Sequence, residues 1–232
     1  MASFLLFNFE ITSHCNAKCP SCFRTSLLNW NDKYQTNGSN YMSDLKHLSV
    51  NDFEDFIFNN VNFLKKHNYG HIVAKFCGEV GDPLMHPEID SLIQLASNVF
   101  DKIEIFTNGG LRNSKWIKTV LNKHKKLYFI FGIDGMTDEI NQKYRIGVRT
   151  DLAFSNMIES AKIRFTKWDY TIFEHNYHQL QDAINFSKKH NIYLLARVNG
   201  RPFSKLNEKN ISKVESILNN NKTNYFLCKE TE

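Results

Sequence analysis

Only four prolines and ten glycines are spread over 232 residues. That is too few for a collagen-like, linker-rich or low-complexity chain. No apolar run approaches the ~18 residues of a membrane span. The opening Met-Ala-Ser-Phe-Leu-Leu-Phe has neither the basic region nor the long apolar core of a signal peptide. Cysteine is scarce: there are five, an odd count. Three of them are clustered, which argues against a disulfide framework and for a reducing, cytoplasmic compartment. Charge of one sign is not concentrated either. The formal net charge is +5, but the lysines are scattered, which reads as solvated helix faces and speaks against nucleic acid as a partner. The nineteen Phe and nine Tyr are then core residues, because base stacking needs a basic groove beside it. What remains is an ordinary soluble globular chain, 42% hydrophobic and 23% charged, long enough for one large core.

Short β-rich runs alternate with amphipathic helical stretches. Strands are expected over Phe4–Thr12, His71–Cys77, Ile103–Thr107, Leu127–Asp134, Asp169–Phe173 and Ile192–Val198. Between them, Phe53, Phe56, Ile57, Val61 and Leu64 repeat at helical spacing behind a Ser49–Asp52 capping pair. Ile89, Leu92, Ile93 and Ala96 form a second stripe, with Pro87 as the first helical residue. Further helices carry Trp116 to Leu121, Phe154 to Phe165, Leu180 to Ile184 behind an Asn176 cap, and Leu206 to Leu218. Six β/α units imply an α/β fold, a partial (β/α)6 TIM-like barrel of parallel strands. Residues 1–200 read as the barrel and 201–232 as a helix and tail. Active sites of such folds lie at the carboxyl ends of the strands. The polar motifs all fall at that end: Cys15 to Cys22 after strand one, Gly78 to Pro83 after strand two, Thr107 to Gly110 after strand three and Asp134-Gly135 after strand four. The polar connection Arg24–Leu48, with its Asn37-Gly38-Ser39-Asn40 turn, is expected over the site mouth.

Cys15, Cys19 and Cys22 place three thiols within one short loop. Soft thiolates suit iron–sulfur clusters or zinc. Three ligands leave a position open for chemistry, whereas structural sites are closed by four. Two other readings stand beside the cluster: a zinc site completed by Cys77 or a histidine, and chance clustering.

The spacing of the three cysteines after a first strand resembles that of the radical S-adenosylmethionine (radical SAM) enzymes. The resemblance extends to Gly81-Asp82-Pro83-Leu84-Met85-His86-Pro87, similar to the family's Gly-Glu-Pro segment with Asp82 for the usual Glu, and to Thr107-Asn108-Gly109. Ile133-Asp134-Gly135 with Tyr144-Arg145-Ile146-Gly147 looks like a pattern of the peptide-modifying, SPASM-type subgroup. The resemblance covers about Phe4 to Val198. It implies that Cys15, Cys19 and Cys22 hold three irons of a 4Fe-4S cluster, and that SAM binds the fourth iron. An electron then cleaves SAM to methionine and a 5'-deoxyadenosyl radical that takes hydrogen from a substrate, peptide or other. Cofactor contacts implied are Val80, Gly81 and Asp82 for the methionine amino group, Asn108 for ribose or methionine, Asp134 for hydroxyls or carboxylate, Arg145 for the carboxylate, and Val198 for adenine. An external electron donor of flavodoxin or ferredoxin type is implied as a partner.

Several points depart from the pattern or stay open. Gly132 stands where the subgroup has serine, and Ser21 where an aromatic residue is common. A shift of two residues would make Gly78-Glu79 the functional pair. Asn108 also fits a generic turn, and Arg145 a surface ion pair with Asp138 or Glu139. Glu10 and Thr12 are expected to point inward, Asn199 to reach substrate, and Cys77 to be a buried apolar residue. Cys228 sits where the cysteine-rich extension of the relatives begins. The competing function is a non-catalytic iron–sulfur or zinc module.

Overall fold

Seven strands pair in parallel and in chain order, β1 to β7. They are β1 (Phe4–Phe9), β2 (His71–Phe76), β3 (Lys102–Thr107), β4 (Leu127–Phe131), β5 (Lys167–Ile172), β6 (Tyr193–Val198) and β7 (Asn224–Leu227). The structure is a computed structural model that describes residues 4–25, 45–67, 70–201 and 203–227. Most of the Arg24–Leu48 connection and Cys228 lie outside the described residues.

The helices between the strands are α1 (Val50–Phe56), α2 (Asn62–Lys66), α3 (Ile89–Val99), α4 (Ser114–Lys123), α5 (Asp138–Asn141), α6 (Thr150–Ile163), α7 (Leu180–Lys189) and α8 (Glu208–Asn220). The expected Phe53–Leu64 helix is broken by a π-turn at Ile57–Val61. Ser49 caps α1 as its pairing with Asp52 predicts: its Oγ accepts the Asp52 amide at 3.0 Å, an arrangement worth about 1 kcal/mol. Pro87 is not the first helical residue, since α3 begins at Ile89. His86 orders the approach instead, its Nδ1 accepting the Glu88 amide at 3.0 Å. The (β/α)6 unit is present as read, and β7 joins it beyond β6. Among the described residues no helix is long and apolar enough to cross a membrane.

Strand alternation divides the sheet into two faces. In β3 and β5 every second residue is buried, and these side chains pack under the helices. Phe7, Phe9, Phe53, Phe56, Phe76 and Phe100 form one edge-to-face cluster there. Trp168, Tyr170, Phe154 and Phe186 form another. Such aromatic pairs add about 1 kcal/mol each beyond area burial. The residues in between face the concave side and are half-buried, most of them polar, with Phe106 among them. They include the ion pairs Arg197–Asp169 and Lys102–Glu104, both at 2.6 Å.

The β4–β5 ladder is short, pairing only Ile130 with Lys167 and Phe131 with Trp168. Beyond it the two strands diverge. A side chain takes over the strand's role: Asp134 Oδ1 accepts the Thr171 amide at 2.7 Å. Asn176 is not the helix cap expected from its position, since its side chain makes no cap hydrogen bond. It is fully buried and ties the divergent loops together. Its Nδ2 donates to the Asp134 and Thr171 carbonyls, both at 2.8 Å, and its Oδ1 accepts the Phe173 amide at 2.7 Å.

Candidate functional site

The cysteine loop leaves β1 and folds over the carboxyl end of the sheet. Two long-range contacts seat it, Lys18 N–H to the Ile146 carbonyl at 2.9 Å and Asp82 N–H to the His14 carbonyl at 2.8 Å, and Arg24 Nε closes the loop on the Ser13 carbonyl at 3.0 Å. Inside the loop the Ala17 amide points at Cys15 Sγ at 3.4 Å, and the Cys22 amide donates to the Cys19 carbonyl at 3.1 Å. All three thiols line one cavity of about 380 Å³, together with Gly81, Asp82, Asn108 and Arg145. A neighbouring cavity of about 840 Å³ is lined by Cys19, Cys22, Phe23, Glu79, Tyr144, Val198 and Arg201, among others.

Asp82 is 4% exposed, and three internal donors hold its carboxylate. These are the Thr107 hydroxyl at 2.9 Å, the Asn108 amide at 2.8 Å and the Leu84 amide at 3.0 Å. Burial pushes its pKa up, and these hydrogen bonds oppose the rise. Glu79, by contrast, is exposed and lines both cavities. Val80 lines neither; its amide is held by the Glu10 carboxylate at 3.2 Å, beside that of Glu79 at 3.3 Å. Glu10, just past the end of β1, therefore supports the glycine segment. Thr12 does not point inward: it is buried, and its hydroxyl meets His47 Nδ1 at 2.9 Å.

Asn108 is buried between its own turn and the cysteine loop. Its Nδ2 donates to Asn16 Oδ1 at 2.7 Å and stands 4.0 Å from Cys15 Sγ. Arg145 lies on the other side of the loop. Its Nε donates to Asp134 Oδ2 at 2.6 Å, and its Nη1 stands 3.9 Å from Cys19 Sγ. Its ion-pair partner is thus Asp134, not Asp138 or Glu139. Asp134 is fully buried and lines neither cavity. Val198 is 5% exposed at the wall of the larger cavity. Asn199 is spent on its own loop, with Nδ2 donating to the Arg201 and Phe203 carbonyls at 3.0 and 2.7 Å. Cys77 is buried as expected. The partner of Thr107, singled out with its motif, and the part played by Arg201 escape a reading of the sequence. Thr107 supports Asp82, and Arg201 reaches the Ser21 carbonyl at 2.6 Å. The signal for Arg201 was its place in a turn just past the end of β6.

The donor set fits an iron–sulfur cluster. Burial, reinforced by Asp82, pushes the Cys15 thiol up to about 12, and burial raises Cys19 as well. Thiols in such a setting lose their protons on binding metal. Among the described residues, no three of His, Cys, Asp and Glu converge to hold a single metal ion. A multi-iron cluster takes each thiolate on a separate iron.

No family model matches the chain. Solved structures with the same fold are similar over nearly its whole length. Streptococcus suis SuiB bound to its precursor peptide SuiA covers 100% of this chain and 50% of its own, with TM-score 0.67 and 13% identity. Native anSMEcpe with bound AdoMet and a Cp18Cys peptide covers 96% of this chain and 63% of its own, with TM-score 0.64 and 18% identity. A radical SAM methyltransferase from Sphaerobacter thermophilus covers 99% and 67%, with TM-score 0.58 and 11% identity. Among curated proteins, the subtilosin biosynthesis protein AlbA of Bacillus subtilis is 21% identical over 182 residues, covering 75% of this chain and 34% of its own length. Cardiolipin synthase 1 of Staphylococcus epidermidis is 24% identical over 132 residues, covering 52% and 25%. The chain thus spans about a quarter to a third of the curated relatives it matches. The cardiolipin synthase likeness stops at half of the chain, while the structural one runs through every strand. The chain has the α/β fold of these solved structures. It has it in the partial-barrel form shared with SuiB and anSMEcpe.

Proposed function

We propose that this chain is the core of a radical SAM enzyme that modifies a peptide. One observation carries the reading: three thiols, Asp82, Asn108 and Arg145 line a single cavity at the carboxyl end of a parallel sheet. Cys15, Cys19 and Cys22 would hold a 4Fe-4S cluster. When bound, it supplies the electron that cleaves S-adenosylmethionine to methionine and a 5'-deoxyadenosyl radical, which abstracts hydrogen from substrate. The protein's own part is to bind, orient and shield. Gly78, Glu79 and Gly81 line the cavity, and Glu79 offers an open carboxylate to an ammonium group. Arg145 offers the remaining face of its guanidinium to a carboxylate. Val198 and Tyr144 supply the apolar wall of the larger cavity, where a nucleoside fits.

A peptide substrate is supported by three likenesses. SuiB was solved with a precursor peptide, anSMEcpe with a peptide, and AlbA is named for bacteriocin biosynthesis. The half-buried, largely polar concave face, which carries the Arg197–Asp169 pair on β6 and β5, suits a polar, extended substrate. The electron comes in this reading from an external flavodoxin- or ferredoxin-type donor, in a reducing cytoplasm.

The test is anaerobic reconstitution with iron and sulfide, followed by an assay for 5'-deoxyadenosine with SAM and dithionite. A brown protein that forms product, and a Cys19→Ala variant that forms neither colour nor product, are expected. Undiminished product from Cys19→Ala would overturn the reading.

A further inference from the structure

We infer that Arg145 sets the reduction potential of the cluster, and that Asp134 and Gly132 are the residues that place it. The inference rests on the reading above that Cys15, Cys19 and Cys22 hold a cluster.

Three observations fix the guanidinium. Its Nη1 stands 3.9 Å from Cys19 Sγ, and Cys19 is 5% exposed, so solvent screens the pair only in part. Its Nε is held by Asp134 Oδ2 at 2.6 Å. That carboxylate cannot turn, because Oδ1 holds the Thr171 amide at 2.7 Å and the residue's own amide donates to Asn141 Oδ1 at 2.9 Å. Third, a β-carbon on Gly132 would stand 2.7 Å from Arg145 Nη2. The glycine that replaces the subgroup's serine is therefore not simply a lost contact. It is the space in which the guanidinium lies.

The result is an oriented ion pair, with its positive end toward the cluster ligand and its negative end behind. Adding one electron to a thiolate-bound cluster increases negative charge at the sulfurs, with no proton required. A fixed cation at contact distance stabilises that reduced state more than the oxidised one and raises the potential. Arg145 touches the ligand and is the tuning residue. Asp134 and Gly132 act through it and are positioning residues.

The experiment is a dithionite titration of reconstituted protein without SAM, followed by electron paramagnetic resonance. The double variant Arg145→Gln with Asp134→Asn removes the pair without stranding either charge, and its midpoint is expected to be more negative than that of wild type. Arg145→Lys, which keeps a charge near Cys19, is expected to recover part of the shift, a rescue that a merely structural role would not produce. Gly132→Ser keeps both charges and displaces only the guanidinium. It carries the test if the double variant does not fold, and its midpoint is expected to move. A double variant with the wild-type midpoint, or in its place an unmoved Gly132→Ser, overturns the inference. A wild-type chain that takes up no iron and sulfide overturns the underlying reading and the inference with it, and shows this before any potential is measured.

Discussion

Gly81 is pressed against the backbone of Thr12. A β-carbon there would collide with the Thr12 carbonyl oxygen and stand 2.8 Å from that of His14. The glycine segment after β2 and the cysteine loop after β1 are therefore joined backbone to backbone, reinforced by the Asp82 amide on the His14 carbonyl at 2.8 Å. Gly81→Ala is expected to force the two loops apart. Overpacking against a backbone costs about 2–3 kcal/mol. Gly78→Ala is the control, since its new β-carbon would meet only ordinary contacts at 3.4 Å. Denaturant titration of both variants should separate them clearly, and equal midpoints would refute the close approach.

Asp134 is expected to be the costliest carboxylate to remove. Asp134→Ala leaves Arg145 without its 2.6 Å partner and the Thr171 amide without its acceptor. Breaking a buried pair from one side costs about 3–5 kcal/mol. Because the Arg145 side chain is 22% exposed, the low end, about 3 kcal/mol, is expected. For a chain of this size that lowers Tm by on the order of 10 °C. Adding Arg145→Met to Asp134→Ala should regain part of the loss, because no charge is then left unpaired. Thermal unfolding of the single and double variants checks this; a double variant less stable than the single one contradicts it.

How much of this was legible in the sequence depends on how local the signal is. The six strands and their helices could be read because alternation and 3.6-residue spacing are written into each segment. Strand β7 could not, because four residues beyond the polar Asn219 to Lys222 run carry too short a pattern, and only pairing with β6 makes them a strand. The cysteine loop, the glycine segment and Arg145 could be placed at one end of the sheet by topology alone. Their partners could not. Arg145 has acids six and seven residues before it, yet the fold turns it toward Asp134, eleven residues back, where the β4–β5 ladder has opened. Asn176 looked like a cap because Asn favours caps; its amide instead satisfies carbonyls of two diverging loops. Gly132 read as a missing serine because a sequence shows which side chain is absent, not what occupies its space.

His175 is expected to make stability depend on pH in a defined window. Its ring stacks on Phe173 at 5.0 Å, and its Nδ1 meets Ser204 Oγ at 2.8 Å. Its Nε2 is buried without a hydrogen-bond partner. Burial, with Lys143 and His178 adding to it, lowers its pKa to about 4, against about 6.5 in the unfolded chain. The folded state therefore holds the ring neutral. Its contribution is fully present above about pH 6.5 and is lost as pH falls toward 4, where the unfolded state binds the extra proton. Replacing the ring in His175→Phe should flatten the fall in stability across that window while leaving other groups unchanged. Denaturant midpoints at several pH values between the two limits measure it, and parallel curves for wild type and variant would exclude the effect.

Arg201 spans the mouth of the larger cavity. Its Nη1 donates to the Ser21 carbonyl at 2.6 Å and stands 3.4 Å from the Tyr144 hydroxyl. It therefore links the loop after β6 to the residue just before the third cysteine. The loop itself is held by Asn199, which takes the Arg201 amide at 3.0 Å and donates to two carbonyls beyond it. Arg201 is exposed, so Arg201→Ala should change stability by no more than about 0.5 kcal/mol. In the proposed reaction the loss is one of closure around the bound nucleotide, made equally in ground and transition states. Such a loss raises KM and leaves kcat alone. We expect KM for SAM to rise several-fold, with kcat for 5'-deoxyadenosine within about twofold of wild type. Asn199→Ala, which frees the whole loop, should give the larger rise of the two. Steady-state assays over a range of SAM concentrations decide the matter. A fall in kcat at unchanged KM would mean that Arg201 acts on the cleavage step and not on closure of the cavity.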